Sequence, residues 1–154
     1  MTSPTIRELL SYHLHRVANL LSRGAELRYR REFGVSLWEW RTVALLGGAL
    51  EPQSLNELAR AAGMDKGQMS RVVSGLTRRK IVFRETDAND GRSIRLSLTR
   101  SGRTLYQKLI GAAAERNDAF LGCLTAKERA ALEAIMSKLA HEARGFIQRE
   151  KRPR

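Results

Sequence analysis

At the start of the chain, apolar residues recur at steps of three and four, the spacing that places side chains on one face of an α-helix. The stripe begins at Ile6 and continues weakly to about Tyr29, so it predicts a helix over residues 6–31. At ~1.5 Å per residue this helix would be about 39 Å long, which is more than a compact domain of this size needs.

Five capping pairs mark predicted helix starts. In each pair a Ser, Thr or Asp side chain accepts hydrogen bonds from the first turn, and a Glu or Gln three positions later reaches back. The pairs are Thr5/Glu8, Ser36/Glu39, Ser54/Glu57, Asp65/Gln68 and Thr125/Glu128. A further long helix is predicted after Thr99, so helices account for most of the chain.

Within residues 81–98 the spacing of apolar residues changes from the helical pattern to every second residue, as the segment 94–98 shows. Val82 and Phe83 supply a partner strand, and a turn-forming cluster at 87–91 joins the two. The sequence therefore predicts a mainly α fold with one small β-hairpin.

The composition favours a globular protein with a polyanionic partner. The 154 residues fit one domain, and 42% of them are hydrophobic, enough for a buried core. Lys and Arg number 28 against 16 Asp and Glu, a formal net charge of +12. This excess predicts nucleic acid as the first candidate partner and an anionic membrane surface as the second.

Cysteine and histidine usage argues against a disulfide or a metal site. Cys123 is the only cysteine, and the three histidines lack zinc-ligand spacing. Near the start of the chain, charges and histidines interrupt every apolar run before it reaches signal-peptide or membrane-span length. We therefore expect a cytoplasmic protein without a metal, another cofactor or a membrane anchor.

Motifs of catalysis are missing from the sequence. It has no glycine-rich phosphate loop, no Gly-x-Ser-x-Gly, no metal-ligand cluster and no cysteine beside a histidine. We therefore expect a binding protein and not an enzyme.

The predicted helix over residues 65–80 carries the densest positive charge, with five Lys or Arg against one Asp. Its polar residues share the face opposite the apolar stripe: Lys66, Gln68, Ser70, Arg71, Ser74, Thr77 and Arg78. Such side chains can hydrogen-bond base edges or phosphates, and a helix fits the major groove of B-DNA. On charge alone, a solvated helix face is the simpler interpretation.

The neighbouring elements favour DNA binding. A short helix, a tight turn at Gly63, the basic helix and a hairpin with Arg92 at its tip follow one another. This is the order of a winged helix-turn-helix, in which the second helix enters the major groove and the hairpin, or wing, reaches the adjacent backbone or minor groove.

Three segments carry a resemblance to a known family: Met-Ser-Arg-Val-Val-Ser-Gly-Leu at 69–76, Asp-Ala-Asn-Asp-Gly-Arg at 87–92 and Leu-Ser-Leu-Thr-Arg-Ser-Gly at 96–102. In this order they are similar to the recognition helix, the Asp-x-x-Asp-x-Arg wing signature and the Leu-Thr-x-x-Gly helix start of the MarR family of bacterial transcriptional regulators. Lys80 departs from the family's glycine, which predicts a different helix exit and an extra cation. Gly91 stands where many members carry a second wing arginine.

The resemblance implies a homodimer on a pseudo-palindromic double-stranded operator. The implied organisation is an N-terminal dimerisation helix at 1–34, a winged helix-turn-helix DNA-binding lobe at 35–99 and C-terminal dimerisation helices at 100–154. The long apolar stripes support this separately, because they need a surface to bury against. A self-contained monomeric core is the alternative.

Positions in this fold assign the candidate DNA contacts, which are Ser54, Lys66, Gln68, Ser70, Arg71, Arg78, Lys80, Asp90 and Arg92. Gln68, Ser70 and Arg71 are expected at base edges or adjacent phosphates, and Ser54 is expected to donate to a phosphate. Lys66 is expected to contact DNA near the start of the basic helix, and Arg78 and Lys80 are expected to contact the DNA backbone.

Arg92 is expected in the minor groove, whose negative potential suits an arginine. Asp90 would hold the guanidinium of Arg92, or it would simply be a turn residue.

The family often binds a small anionic or aromatic molecule that releases the operator, so the resemblance implies a ligand-responsive repressor. By analogy the residues near such a site are His13, Arg16, Trp38, Trp40 and Arg41. Core packing of the tryptophans and an interface position for His13 are the alternatives.

An oxidant-sensing role for Cys123 is disfavoured, and we expect a buried thiol. The alternative function is an architectural DNA-binding protein without small-molecule control.

Overall fold

The computed structural model describes residues 4–86 and 94–151. A 3₁₀ turn at Ile6–Glu8 precedes six helices and three strands. In chain order these are α1 (Leu10–Phe33), α2 (Leu37–Gly48), β1 (Gln53–Ser54), α3 (Leu55–Ala62), α4 (Lys66–Arg78), β2 (Val82–Thr86), β3 (Ile94–Leu98), α5 (Arg100–Leu121) and α6 (Ala126–Glu150). The predicted mainly α fold with a small β wing is confirmed.

The first predicted helix begins later than the apolar stripe indicated. Thr5 N donates to Glu8 Oε2 over 3.2 Å, but this pair caps only the 3₁₀ turn. Leu9 is extended, so α1 begins at Leu10, and its C-terminal cap is Gly34, which has a left-handed φ of +63°. The predicted start at residue 6 is therefore wrong by one helical turn.

The sheet has three antiparallel strands in the order β1-β3-β2. The predicted hairpin strands pair, with Val82 opposite Leu98, and the first strand continues beyond the predicted Val82 and Phe83 to Thr86, opposite Ile94. The sequence did not predict β1, which places Gln53 opposite Leu96.

The chain forms two compact units, Met1–Ala113 and Ala114–Arg154. The first unit has a continuous hydrophobic core, to which α1, α2, α3, α4, the sheet and α5 contribute. Its largest fully buried side chains include Tyr29, Leu58, Met69, Leu76 and Leu109. In the second unit, α6 contains no buried residue, and large apolar side chains such as Ile135 and Phe146 are exposed.

Within the described residues, no helix is long and apolar enough to span a lipid bilayer.

Candidate nucleic-acid interface

A tight turn joins α3 to α4 and sets their geometry. Ser54 Oγ accepts from Glu57 N over 3.2 Å, and Glu57 Oε2 accepts from Ser54 N over 2.7 Å, which caps the start of α3. Gly63 ends α3 with a left-handed φ of +65°, a conformation that glycine adopts without a Cβ penalty. Asp65 Oδ1 then accepts from Gln68 N over 2.8 Å and starts α4.

Helix α4 has one buried and one open face. Met69, Val73 and Leu76 are fully buried in the core. Lys66, Gln68, Arg71, Arg78 and Lys80 are exposed, and Ser70 is half-buried. A surface groove of about 280 Å³ is lined by Ser70, Arg71, Ser74 and Arg78. The structure therefore brings Ser70, Arg71, Ser74 and Arg78 of the predicted outward face together in one groove, which Lys66, Gln68 and Thr77 do not line.

Ser54 is hydrogen-bonded to Glu57 at the start of α3. Its backbone N–H donates to Glu57 Oε2, its Oγ accepts from Glu57 N, and its side chain also contributes to the lowered pKa of Glu57. Any donation to a phosphate would therefore come from Oγ.

Lys80, the second residue after α4, adopts the left-handed conformation, with φ +57°. The expectation that replacing the family's glycine would change the helix exit is wrong, because the lysine takes the conformation that glycine favours. Two hydroxyls hold this turn: Thr99 Oγ1 donates to Lys80 O over 2.7 Å, and Ser101 Oγ donates to it over 2.8 Å.

Two arginines near α4 were missed by the sequence reasoning. Arg84 on β2 donates from Nη2 to Ser74 Oγ over 3.2 Å, so the base of the wing contacts the outward face of α4. Arg79 donates from Nη1 to Glu39 Oε1 over 2.8 Å. Residues 81–98 contain as many acidic as basic residues, so the charge distribution did not single out Arg84. The partner of Arg79 lies forty positions earlier in the chain, and no local sequence pattern indicates it.

Hydrogen bonding and neighbouring cations lower the pKa of Glu57. Donation from the Ser54 backbone is the largest cause, followed by the Ser54 side chain and the charge of Arg95, whose Nη1 lies 3.3 Å from Glu57 Oε2. The carboxylate is therefore charged at neutral pH and joins α3 to β3.

The predicted wing contacts Asp90 and Arg92 lie outside the described residues, as does the turn that contains them.

The candidate ligand residues fall into two groups. The Arg41 guanidinium lies 4.8 Å from the ring centroid of Trp38, and Arg41 Nη2 donates to Ser22 Oγ over 3.3 Å. A cleft of about 340 Å³ between α2 and α3 is lined by Trp40, Arg41, Ala44, Leu45, Ala61 and Ala62. Trp40 is 8% exposed and its ring centroid lies 5.1 Å from that of Tyr29, so most of this side chain belongs to the core.

His13 and Arg16 are exposed on α1, where both contact Tyr12. Neither of them lines the cleft, and Trp38 does not line it either.

Cys123 is exposed, and its Sγ donates to Phe120 O over 3.1 Å. The expectation of a buried thiol is therefore wrong for this chain.

In the parts of the chain that the structure describes, no group of three or more His, Cys, Asp or Glu could hold a metal ion.

Comparison with known proteins identifies relatives of this arrangement. Residues 33–93 match the sequence profile of the MarR family. An 88-residue stretch is 31% identical to the HTH-type transcriptional repressor NicR of Pseudomonas putida and covers 57% of this chain and 56% of that repressor. The chain therefore matches just over half the length of this curated relative.

Solved structures match over nearly the whole chain. A MarR/EmrR family transcriptional regulator from Acinetobacter sp. ADP1 has a TM-score of 0.83 at 25% identity, over 92% of this chain and 99% of that one. MepR of Staphylococcus aureus, solved in complex with DNA, has a TM-score of 0.80 at 21% identity, over 87% of this chain and 98% of that one.

Proposed function

We propose that this chain is a winged-helix regulator of the MarR type, which binds double-stranded DNA in a sequence-specific manner and represses transcription, because residues 33–93 match the MarR family profile and the fold is that of such regulators. The observation that carries the proposal is the outward face of α4, where Arg71 and Arg78 line an open groove while Met69, Val73 and Leu76 anchor the helix in the core. An anchored helix with free polar side chains suits insertion into the major groove.

In this proposal Gln68, Ser70 and Arg71 contact base edges or adjacent phosphates. Lys66, Arg78 and Lys80 contact the backbone, Ser54 Oγ donates to a phosphate, and Arg92 enters the minor groove beside Asp90. Arg84 adds a cation where the wing meets α4, since its guanidinium already touches Ser74.

We further propose a homodimer built by the N-terminal region 1–34 and the C-terminal region 100–154. Along α1, Leu10, Leu14, Val17 and Leu21 form an apolar stripe, and each is between 39% and 56% exposed. Helix α6 has its own exposed apolar residues, including Leu132 and Ile135. A second copy would remove these surfaces from water. In a two-fold dimer, the α4 helices of the two copies would contact DNA half-sites about 10 base pairs apart.

The decisive experiment is selection of bound duplexes from a random-sequence pool, followed by gel shift of the selected duplex and of random duplexes. The proposal requires a selected site with two-fold symmetry and clear preference over random DNA. Equal affinity for both would instead support the architectural alternative. Sedimentation at several concentrations tests the dimer, and a single-chain mass throughout would contradict it.

We also propose that a small aromatic carboxylate occupies the cleft beside Trp38 and Arg41 and releases the DNA. The Arg41 guanidinium, which lies over the Trp38 ring, can pair with a carboxylate, and the small side chains of Ala44, Ala61 and Ala62 line the cleft. Titration calorimetry with benzoate and substituted benzoates tests this. Arg41→Gln should abolish the heat of binding, whereas the exposed Arg129→Gln should keep it, and absence of heat with the unmodified protein would contradict the site.

A further inference from the structure

A single carboxylate, that of Glu39, contacts the start of α2 and the end of α4. Its Oε2 accepts from Ser36 N over 2.8 Å and so caps α2. Its Oε1 accepts from Nη1 of Arg79 over 2.8 Å, and Arg79 is the residue that follows α4. The two carboxylate oxygens therefore join the first turn of α2 to the residue that caps the C-terminal end of the proposed recognition helix.

A second contact joins the same two helices near the start of α4. Thr42 and Met69 are fully buried, and the Thr42 hydroxyl lies 3.6 Å from Met69 Sδ. At ~1.5 Å per residue, the contacts at Met69 and Arg79 are about 15 Å apart along α4. Two separated contacts restrain the tilt of a helix, which one contact cannot do.

Arg79 differs from the cations on either side of it. Arg78 lines the open groove on the outward face of α4, and Lys80 follows in the left-handed turn. Arg79 instead reaches back to α2, where the side chains of Arg79 and Glu39 are 40% and 20% exposed. This partial shielding makes their ion pair less sensitive to solvent than a fully exposed one.

We propose that Glu39 is a positioning residue for DNA binding: by holding Arg79 against α2, it sets the orientation in which α4 presents Arg71 and Arg78 to the major groove. This inference rests on the proposed function. It predicts that Arg79 acts through Glu39 and makes no phosphate contact of its own.

The test measures affinity for the selected duplex and for random duplexes over a range of salt concentrations. Glu39→Gln retains a side chain that can cap α2 but removes the charge that holds Arg79. We expect Glu39→Gln and Arg79→Met each to weaken binding of the selected duplex by about two- to fivefold. The double variant should be no weaker than either single variant, because both substitutions remove the same interaction.

Further readouts separate positioning from a purely structural role. Arg79→Lys, which keeps the positive charge, should recover most of the affinity. Binding to random duplexes and the slope of log affinity against log salt should be unchanged in Glu39→Gln, because no phosphate contact is lost.

Glu128→Gln is the matched control. Glu128 caps α6 by accepting from Thr125 N over 2.8 Å, so the same substitution in this capping box reports the cost of the altered cap alone. Its affinity for both duplexes should equal that of the unmodified protein.

Three binding results would overturn the inference. They are unmodified affinity in Glu39→Gln, additive losses in the double variant, and a salt slope reduced by about one in Arg79→Met, which would make Arg79 a phosphate contact. A variant that melts at lower temperature while keeping its preference for the selected duplex would assign the pair to stability only and also overturn it. Failure of the unmodified protein to prefer any duplex contradicts the proposed function itself.

Discussion

The hydroxyl of Thr99 donates to the backbone carbonyl of Lys80 over 2.7 Å, which joins the start of α5 to the second residue after α4. The same oxygen accepts from Gly102 N over 3.0 Å and so caps α5. One side chain therefore starts a helix and holds the left-handed turn that ends another.

Replacing Thr99 with alanine should lower the free energy of unfolding by about 1–2 kcal/mol, because it removes a helix cap and one donor to the Lys80 carbonyl. Urea denaturation measures this change. Thr99→Ser keeps the hydroxyl and is the control. A serine variant as unstable as the alanine variant would assign the loss to the methyl group and contradict the hydrogen-bond explanation.

Lys80→Gly should change stability and DNA affinity in opposite directions. Glycine removes the steric cost of φ +57° and should raise the free energy of unfolding by about 1 kcal/mol. Loss of the cation should reduce the salt slope of DNA binding by about one. Lys80→Gln keeps a side chain with a Cβ in the left-handed conformation, so it should reduce the salt slope without raising the free energy of unfolding. Equal stability of the glycine and glutamine variants would contradict the steric explanation.

Two glycines of α5 should respond to alanine with opposite signs. A Cβ at Gly102 would meet the backbone carbonyl oxygen of Ile81, which cannot move without disturbing the turn after α4. We expect Gly102→Ala to cost about 1–3 kcal/mol. Gly111 has nothing within 4 Å of the added Cβ, so Gly111→Ala should stabilise the helix by about 0.5–1 kcal/mol. Thermal unfolding of both variants checks this, and destabilisation of equal size would contradict it.

Arg71→Ala and Arg92→Ala should each weaken binding of the selected duplex by about 1–3 kcal/mol without unfolding the protein. If about 6–10 phosphates are neutralised, the salt slope of the unmodified protein should be roughly −5 to −9. Gel shifts over a salt series measure both. Lys138→Ala on α6 removes one exposed charge that is not among the proposed DNA contacts and should bind normally. Unchanged affinity in both arginine variants would refute the groove assignment.

Stability should fall in acid through three glutamates. Hydrogen bonds from the Ser54 backbone to Glu57, from the Thr125 backbone to Glu128 and from the Arg28 side chain to Glu32 lower the pKa of each carboxyl below its usual 4.5. A lowered folded-state pKa stabilises the fold above the unfolded value, and this stabilisation is lost as pH falls from about 4.5 through the folded pKa. Urea midpoints at about pH 6 and about pH 3 measure the loss. The loss of stability in acid should be smaller in a variant with all three glutamates replaced by glutamine. An equal loss in that variant would show that these glutamates do not cause it.

Capping was predictable because each cap involves residues within one helical turn. Ser36, Ser54 and Thr125 cap α2, α3 and α6 as predicted, and Asp65 starts α4. The roles of the candidate residues in DNA and ligand binding stay predictions.

Contacts between distant segments were not predictable. β1 exists only because Gln53 and Ser54 pair with a strand some forty positions later. The partners of Arg79 and Arg84, and the exposure of Cys123, likewise depend on where other elements lie.

By itself the sequence determined the positions of most helices, the hairpin and the polar face of α4, because periodicity and capping act over a few neighbouring residues. Only the tertiary structure decided that Lys80 keeps a left-handed exit, that Trp40 packs on Tyr29 and that Glu39 holds Arg79. These outcomes depend on close packing and hydrogen bonding between segments far apart in the chain, for which local sequence carries no signal.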